Sequence, residues 1–358
     1  MSCDYCFYCD EAKKRKQASY GFMTEGTLKN VIRKTMLYAE GMISYVYQGG
    51  EPTLCGIPFY EKVLAYQKQY NKKGIRVSNA IQTNGYTLDE EWCRFLKKNH
   101  FLVGVSVDGI EETHNRYRHN KHGADTFAHI EANIQMLEQY GVEYNILTVV
   151  TKQTAKKIEE IYRFYQQKGW NYQQYILCLE PLKEGHGKQE YALAPEEYGE
   201  FLITLFRLWY ADWKKGKQPY IRQFENYVGM LAGYQPESCD MRGTCTIQHV
   251  VEADGSVYPC DFYVLDEFYL GNLNEMRMPE IAERGRKSGF AERAKKEIEG
   301  SCLECKYYKL CRGGCYRMRE EESSGKNKTY YCKGYQMFFE ACLENLENII
   351  KKLQNNIM

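Results

Sequence analysis

Along the first half of this 358-residue chain the apolar positions switch repeatedly between a helical and a strand period. Residues 24–41 (TEGTLKNVIRKTMLYAEG) are apolar at helical spacing, with Thr24 and Thr27 placed to cap the start. Residues 44–54 (SYVYQGGEPTL) read as an apolar strand ending in a glycine turn, and 57–74 as a helix that stops at Gly74. The alternation continues with a strand over 76–85, a helix over 88–99 with acids first and bases last, and a buried strand over 101–109. Helices over 125–141 and 154–170 then alternate with strands over 142–151 and 173–183. Repeated βα units predict an α/β fold with a parallel sheet, open or closed into a partial barrel. Five strands are visible; a sixth would have to precede Cys3, and Met1 reads as an internal residue of a longer gene product. Sites in such folds sit at the carboxyl ends of the strands. Here those ends are QGGEP, QTNG, SVDG and LEPL, on one rim with the loop 3–9.

Past residue 189 the strand period disappears. Residues 190–233 read as a helical connector, and 335–358 as a C-terminal segment whose amphipathic helix packs its apolar stripe back on the body. Between them, over 234–334, cysteine dominates: Cys239, Cys245, Cys260, Cys302, Cys305, Cys311, Cys315 and Cys332. Cys302 and Cys305 form C-x2-C, and Cys311 and Cys315 form C-x3-C around a Gly-Gly pair. Glycines there let the backbone turn tightly and aim N–H groups at sulfur. Eight thiolates make two sets of four, the number that suits two cubane iron–sulfur clusters or two tetrahedral zinc sites. A disulfide framework belongs to secreted proteins, and residues 1–20 carry cysteines and charges with no apolar signal region. No apolar run of about 18 residues exists. The expected location is the cytoplasm, with no membrane contact. A net charge of +1 gives no reason to expect nucleic acid as a partner.

Several of these pieces together resemble the radical S-adenosylmethionine superfamily. S-C-D-Y-C-F-Y is similar to the end of its C-x3-C-x2-C motif, with Cys3 and Cys6 matching the second and third cysteines. The first would lie before Met1, and Cys9 offers an alternative C-x2-C-x2-C spacing. The resemblance implies that three thiolates hold a 4Fe–4S cluster with one iron open to S-adenosylmethionine, whose reductive cleavage releases a 5′-deoxyadenosyl radical. With only Cys3 and Cys6 of that triad, the chain as written is expected to assemble this cluster poorly and to leave S-adenosylmethionine uncleaved. Gln48-Gly49-Gly50-Glu51-Pro52 resembles the family's GGEP segment, whose backbone binds the methionine amino group where a side chain would block the approach. Ser106 and Arg118 match residues that hold the methionine carboxylate, for which a guanidinium presents paired donors. Tyr5 and Leu179 match positions that contact the adenosyl part. Alone, QGGEP is any glycine turn and Arg118 any surface cation; their order along alternating strands makes the case.

The cysteine-rich part resembles the SPASM domain, which implies two auxiliary 4Fe–4S clusters and so three in all. By the family's pattern Cys239, Cys245, Cys260 and Cys315 hold one, and Cys302, Cys305, Cys311 and Cys332 the other. Spacing alone would group Cys315 with its sequence neighbours. Cys55, Cys93, Cys178 and Cys342 read as small buried hydrophobes. CDYCFY, YQGGEPTL, FLVGVSVDG and LCRGGCYR narrow the resemblance to the cysteine-type anaerobic sulfatase-maturating enzymes. That implies radical oxidation of a Cys or Ser in a sulfatase polypeptide to Cα-formylglycine, driven by an electron donor such as flavodoxin or ferredoxin. In that group the Asp after a cluster cysteine is the base, here Asp261 after Cys260. Loss of the thiol or hydroxyl proton makes the second electron easy to release once a Cβ hydrogen atom has gone. Without the resemblance, capping a turn or pairing with an Arg is the stronger reading of Asp261. Asp108 and Asp254 lie in D-G turns, where turn formation is the expected task. Two other readings stand beside this one. A radical enzyme of the same architecture would crosslink or epimerise a ribosomally made peptide. A zinc-ribbon binding module would leave the strand-end residues unexplained.

Overall fold

The computed structural model describes residues 1–321 and 327–355. Eight strands order the chain as far as residue 221: β1 (Ser2–Cys3), β2 (Met42–Tyr47), β3 (Arg76–Thr83), β4 (Leu102–Ser106), β5 (Arg118–His119), β6 (Tyr144–Val150), β7 (Tyr172–Leu177) and β8 (Tyr220–Ile221). Six of them form one sheet in the order β2-β3-β4-β6-β7-β8, every neighbouring pair parallel. The helices Glu25–Tyr38, Ile57–Tyr70, Glu90–Lys98, Phe127–Gln139 and Ile158–Lys168 alternate with the strands, as the periodicity predicts. Local chemistry starts several of these helices. The Thr24 hydroxyl accepts the Thr27 N–H at 3.2 Å, and the Asp89 carboxylate accepts the Trp92 N–H at 2.9 Å. Each such cap contributes about 1 kcal/mol. Val103 and Val105 on β4 and Ile146 and Val150 on β6 are buried, as β-branched residues of central parallel strands are.

The sixth position of the sheet is filled by β8, inside the stretch 190–233 that reads as helices alone. Two residues are too few to show a period. Tertiary contacts hold them instead: the Tyr220 N–H donates to the Asn171 carbonyl at 2.7 Å, and the Trp209 indole donates to the Pro219 carbonyl at 2.9 Å.

The C-terminal helix is Cys332–Asn355, so it begins at a candidate ligand cysteine rather than at 335. It crosses the Pro195–Trp213 helix backbone to backbone, because a Cβ at Gly334 would collide with the Pro195 carbonyl. Around that crossing aromatic rings interlock. Tyr198 meets Tyr335 edge-on at 5.5 Å, Phe206 meets Phe338 at 5.8 Å, and Phe206 meets Phe224 at 5.2 Å. These rings account for part of the chain's 14% aromatic content, which includes 32 tyrosines.

The cysteine-rich segment builds a small antiparallel sheet, β9 (Val250–Val251), β10 (Ser256–Tyr258) and β11 (Gly271–Asn272), and a hairpin, β12 (Arg319–Glu321) with β13 (Asn327–Thr329). It is tied to the barrel by Arg15–Glu252 at 2.9 Å and by Lys34 Nζ donating to the Met276 carbonyl at 2.8 Å. Residues 322–326 of this segment and 356–358 of the C-terminal segment lie outside the described residues. Among the described residues no helix is long and apolar enough to cross a membrane.

Candidate active site

β1 pairs antiparallel with β5, which sets Cys3 opposite Arg118. The Asp4 N–H donates to the Tyr117 carbonyl and the Cys6 N–H to the Cys3 carbonyl, both at 3.1 Å. The chain then enters the helix Phe7–Lys13, whose Asp10 carboxylate accepts the Leu182 N–H at 2.9 Å while Lys14 donates to the Leu182 carbonyl at 2.6 Å. Cys3 and Cys6 thus sit in a turn anchored on both sides. Cys9 lies exposed on that helix, close enough to Cys6 to add to the rise that burial gives the Cys6 thiol.

Behind the turn lies a buried knot centred on Asp108. Its carboxylate accepts Arg118 Nε at 2.8 Å, Arg118 Nη2 at 3.3 Å, the Val149 N–H at 2.9 Å and the Tyr5 hydroxyl. Arg118 Nη1 stands 3.6 Å from Cys3 Sγ, and its guanidinium lies 5.4 Å over the Tyr5 ring. Burial, and secondarily Arg118, pushes His114 down to about 3. Its neutral Nδ1 accepts the Asp108 N–H at 3.3 Å. Asp108 therefore does more than form a turn. It also takes the paired donors of Arg118 that the sequence suggests for a ligand carboxylate, leaving the Nη1 edge toward Cys3. The Tyr5 side chain is committed to this knot, and Leu179 is buried in the main core. Removing one partner of a buried ion pair costs about 3–5 kcal/mol, which makes the knot a rigid support for the cysteine turn.

After β2, Gly49 and Gly50 adopt φ of +82° and +47°, a region that side chains resist. Glu51 follows, and its carboxylate is fully used within the protein. It accepts the Thr53 N–H at 3.0 Å, the Thr53 hydroxyl at 2.6 Å, the Thr83 hydroxyl at 2.7 Å and the Asn84 N–H at 2.8 Å. Glu51 thus staples QGGEP to QTNG. Ser106 closes β4 beside Leu147 of β6.

The barrel rim and the cysteine-rich domain meet at Asp261. Gln48 Nε2 donates to one carboxylate oxygen and the Cys260 thiol to the other, each at 3.4 Å. The Phe7 ring stands edge-on to Phe262 at 5.0 Å. Burial raises the Asp261 carboxyl above the usual range, against the hydrogen bonds from Cys260 and Gln48. A second carboxyl near Asp261 escapes sequence reading. Glu11 is buried and pushed up to about 8, chiefly by burial and then by Asp261. Its run, DEAKKRK, looks like a solvated face.

None of the fifteen cysteines forms a disulfide. Cys93, Cys178 and Cys342 are buried as expected, and Cys55 is half-buried. In the cysteine-rich domain the thiols sort by which neighbouring sulfur, if ionised, would raise which thiol. Cys239 and Cys245 act on Cys315, Cys315 acts on Cys260, and Cys239 acts on Cys245. Cys311 instead feels Cys332, Cys302 and Cys305. Cys311 and Cys315 therefore face different sets, because Gly313 and Gly314, at φ +81° and +63°, reverse the chain between them. Cys302, Cys305, Cys311 and Cys332 bound a hollow of about 300 Å3. Burial pushes Cys311 up to about 12 and Cys245 up to about 11, so these sulfurs become thiolates only against strong positive charge such as iron. Four cysteines lining one hollow match the ligand number of a cubane cluster. Arg319 borders both sets: it is buried, donates to the Gly313 carbonyl at 3.0 Å and to that of Ala294, and its charge acts on Cys245 and on Cys302. No sequence signal marks it.

An open parallel sheet with a cysteine turn at its rim and a cysteine-rich extension defines a radical S-adenosylmethionine protein with a SPASM domain. The chain matches the Radical SAM superfamily over residues 3–165 and the SPASM iron–sulfur cluster-binding domain over residues 239–306. It is 42% identical to the cysteine-type anaerobic sulfatase-maturating enzyme of Clostridium perfringens (strain 13), over 99% of this chain and 96% of that one. The Clostridium novyi enzyme of the same description is 39% identical over 99% and 94%. The solved structure of native anSMEcpe with bound AdoMet and Kp18Cys peptide superposes with a TM-score of 0.92 at 40% identity, covering 98% of this chain and 96% of that one. The chain belongs to the anaerobic sulfatase-maturating enzymes.

Proposed function

We infer that this protein oxidises a cysteine, and on the same geometry a serine, of a sulfatase polypeptide to Cα-formylglycine. The observation that carries this is Asp261, a half-buried carboxylate held between Gln48 on the barrel rim and Cys260 of a thiol set. Proton acceptor, rim and the sulfurs that would hold an electron-accepting cluster adjoin there, as an oxidation that separates a hydrogen atom, a proton and an electron requires.

In this reading Cys3 and Cys6 would give two of the three thiolates that the first cluster needs. The Gly49-Gly50 main chain, Ser106 and the remaining edge of Arg118 receive the methionine end of S-adenosylmethionine, and the Tyr5 and Leu179 main chain its adenosyl end. Bound there and reduced, S-adenosylmethionine supplies hydrogen-atom abstraction at the substrate Cβ. Asp261 takes the proton from the substrate thiol or hydroxyl, while Gln48 keeps the carboxylate aimed. Cys239, Cys245, Cys260 and Cys315 hold the cluster nearest that proton acceptor, and Cys302, Cys305, Cys311 and Cys332 hold a third. The reducing electron comes from a cytoplasmic carrier such as flavodoxin or ferredoxin.

The test is to incubate the reconstituted full-length enzyme anaerobically with a C-x-P-x-R peptide, reductant and S-adenosylmethionine. Conversion of the cysteine to an aldehyde, read by mass spectrometry, is expected. An unchanged cysteine with 5′-deoxyadenosine still produced would overturn the substrate assignment.

A further inference from the structure

One concave surface takes no part in this chemistry. A hollow of about 680 Å3 is lined by Met230 and Leu231, by Lys295 and by Leu343 on the C-terminal helix. Its lining also carries Arg242, Lys306, Lys309 and Arg312, so that with Lys295 five cations face one carboxylate, Glu347. The whole chain has a net charge of only +1, so positive charge is concentrated here.

These charges are largely unspent. Arg242 donates to the main-chain carbonyls of Pro236 and Glu237 at 3.0 and 3.2 Å, and Arg312 to that of Lys309 at 3.1 Å. Lys306 reaches Glu340 only at 3.9 Å, with both side chains more than 70% exposed (71% and 73%). Such a pair is worth little. Lys295 and Lys309 are exposed and form no ion pair among the described residues. Tyr307 and Tyr308 line both this groove and the hollow bounded by Cys302, Cys305, Cys311 and Cys332. Basic groove and thiol-lined hollow therefore share a wall of tyrosine rings.

We propose that the groove docks an acidic one-electron carrier protein, which exchanges electrons with the Cys302–Cys305–Cys311–Cys332 set across the Tyr307–Tyr308 wall. The proposal rests on the catalytic reading above, whose balance demands such a partner. Substrate R–CH2–SH loses a hydrogen atom from Cβ, a proton from sulfur and one electron, leaving a C=S double bond that water hydrolyses to the aldehyde and hydrogen sulfide. The hydrogen atom passes to the 5′-deoxyadenosyl group, whose generation consumed one electron from outside. Each turnover thus takes one electron in and gives one back, and an acidic carrier can serve as reductant and acceptor. A cationic concavity steers such a partner and sets its orientation, and a small anion would gain nothing from the shared wall.

The probe is an acidic ferredoxin, titrated against holoenzyme at low and high ionic strength. Lys295→Glu/Lys309→Glu, with iron content unchanged, is expected to lower the association rate by on the order of 10–10³-fold at low salt and to flatten the salt dependence. Ferredoxin-driven 5′-deoxyadenosine formation should slow while dithionite-driven formation stays, and Lys295→Arg/Lys309→Arg should retain binding. Unchanged ferredoxin binding overturns the proposal. So does an equal loss in Lys62→Glu/Lys68→Glu, on the Ile57–Tyr70 helix of the barrel, since that would report net charge alone. Lysine-dependent binding in an enzyme that forms no aldehyde supports the docking surface and sinks the substrate assignment instead.

Discussion

The two thiol sets of the cysteine-rich domain share a chain segment yet have different neighbours. One, with Cys239, Cys245, Cys260 and Cys315, abuts Asp261 and through it Gln48 of the barrel. The other, with Cys302, Cys305, Cys311 and Cys332, is separated from a solvent-facing basic groove by Tyr307 and Tyr308. The first set draws its sulfurs from segments far apart in sequence, while three sulfurs of the second lie within ten residues and the fourth starts the C-terminal helix. The inner set is built where a substrate's proton and electron would be received, and the outer set where a partner would be met. Gly313-Gly314 and Arg319 lie between them, so one short reversal of backbone and one buried cation keep the two apart.

The hardest test of this division is Cys315→Ala. Iron and sulfide are expected to fall by one cluster, substrate oxidation to stop, and the lost spectroscopic signal to be that of the Cys260 set. Loss of the outer signal would show that Cys315 belongs with Cys311 and would dissolve the distinction. Next is Asp261→Asn, expected to cut aldehyde formation by about 10²–10⁴-fold. Iron content and 5′-deoxyadenosine formation should persist, because only the proton acceptor has gone; unaffected aldehyde formation would remove the inner set's catalytic partner. Gly334→Ala probes the outer set alone. The added methyl meets the Pro195 carbonyl and should cost about 1–3 kcal/mol, read as a lower Tm. Because Cys332 opens the displaced helix, iron should leave the outer set first; simultaneous loss from both would argue that the sets are not independent. The smallest effect is expected from Arg319→Met. Removing a cation that borders both sets should lower both reduction potentials together, measured by potentiometric titration of the holoenzyme, and a shift in one set alone would end the account of a shared cation.

How much of this was legible beforehand depended on distance along the chain. The βα alternation, the glycine turn at 49–50, the cysteine turn and the eight ligand candidates are local patterns, and a period or a spacing reports them. Asp108 looked like a turn residue because its partners Tyr5, Arg118 and Val149 come from three other segments. The partners of the Glu51 carboxylate were hidden too, since Thr83 and Asn84 lie at the end of another strand. β8 is two residues long and owes its place to Asn171 and Trp209.

By itself, then, the order of residues determined which elements form and which side chains carry sulfur, acid and base, because helix, strand and turn preferences act over a few neighbours. Only the tertiary structure decided which cysteines line a common hollow, which carboxylate is spent inside the protein, and where five scattered cations gather into one groove. Each of those outcomes depends on segments far apart in sequence packing within a few ångströms of one another, and no local period records that.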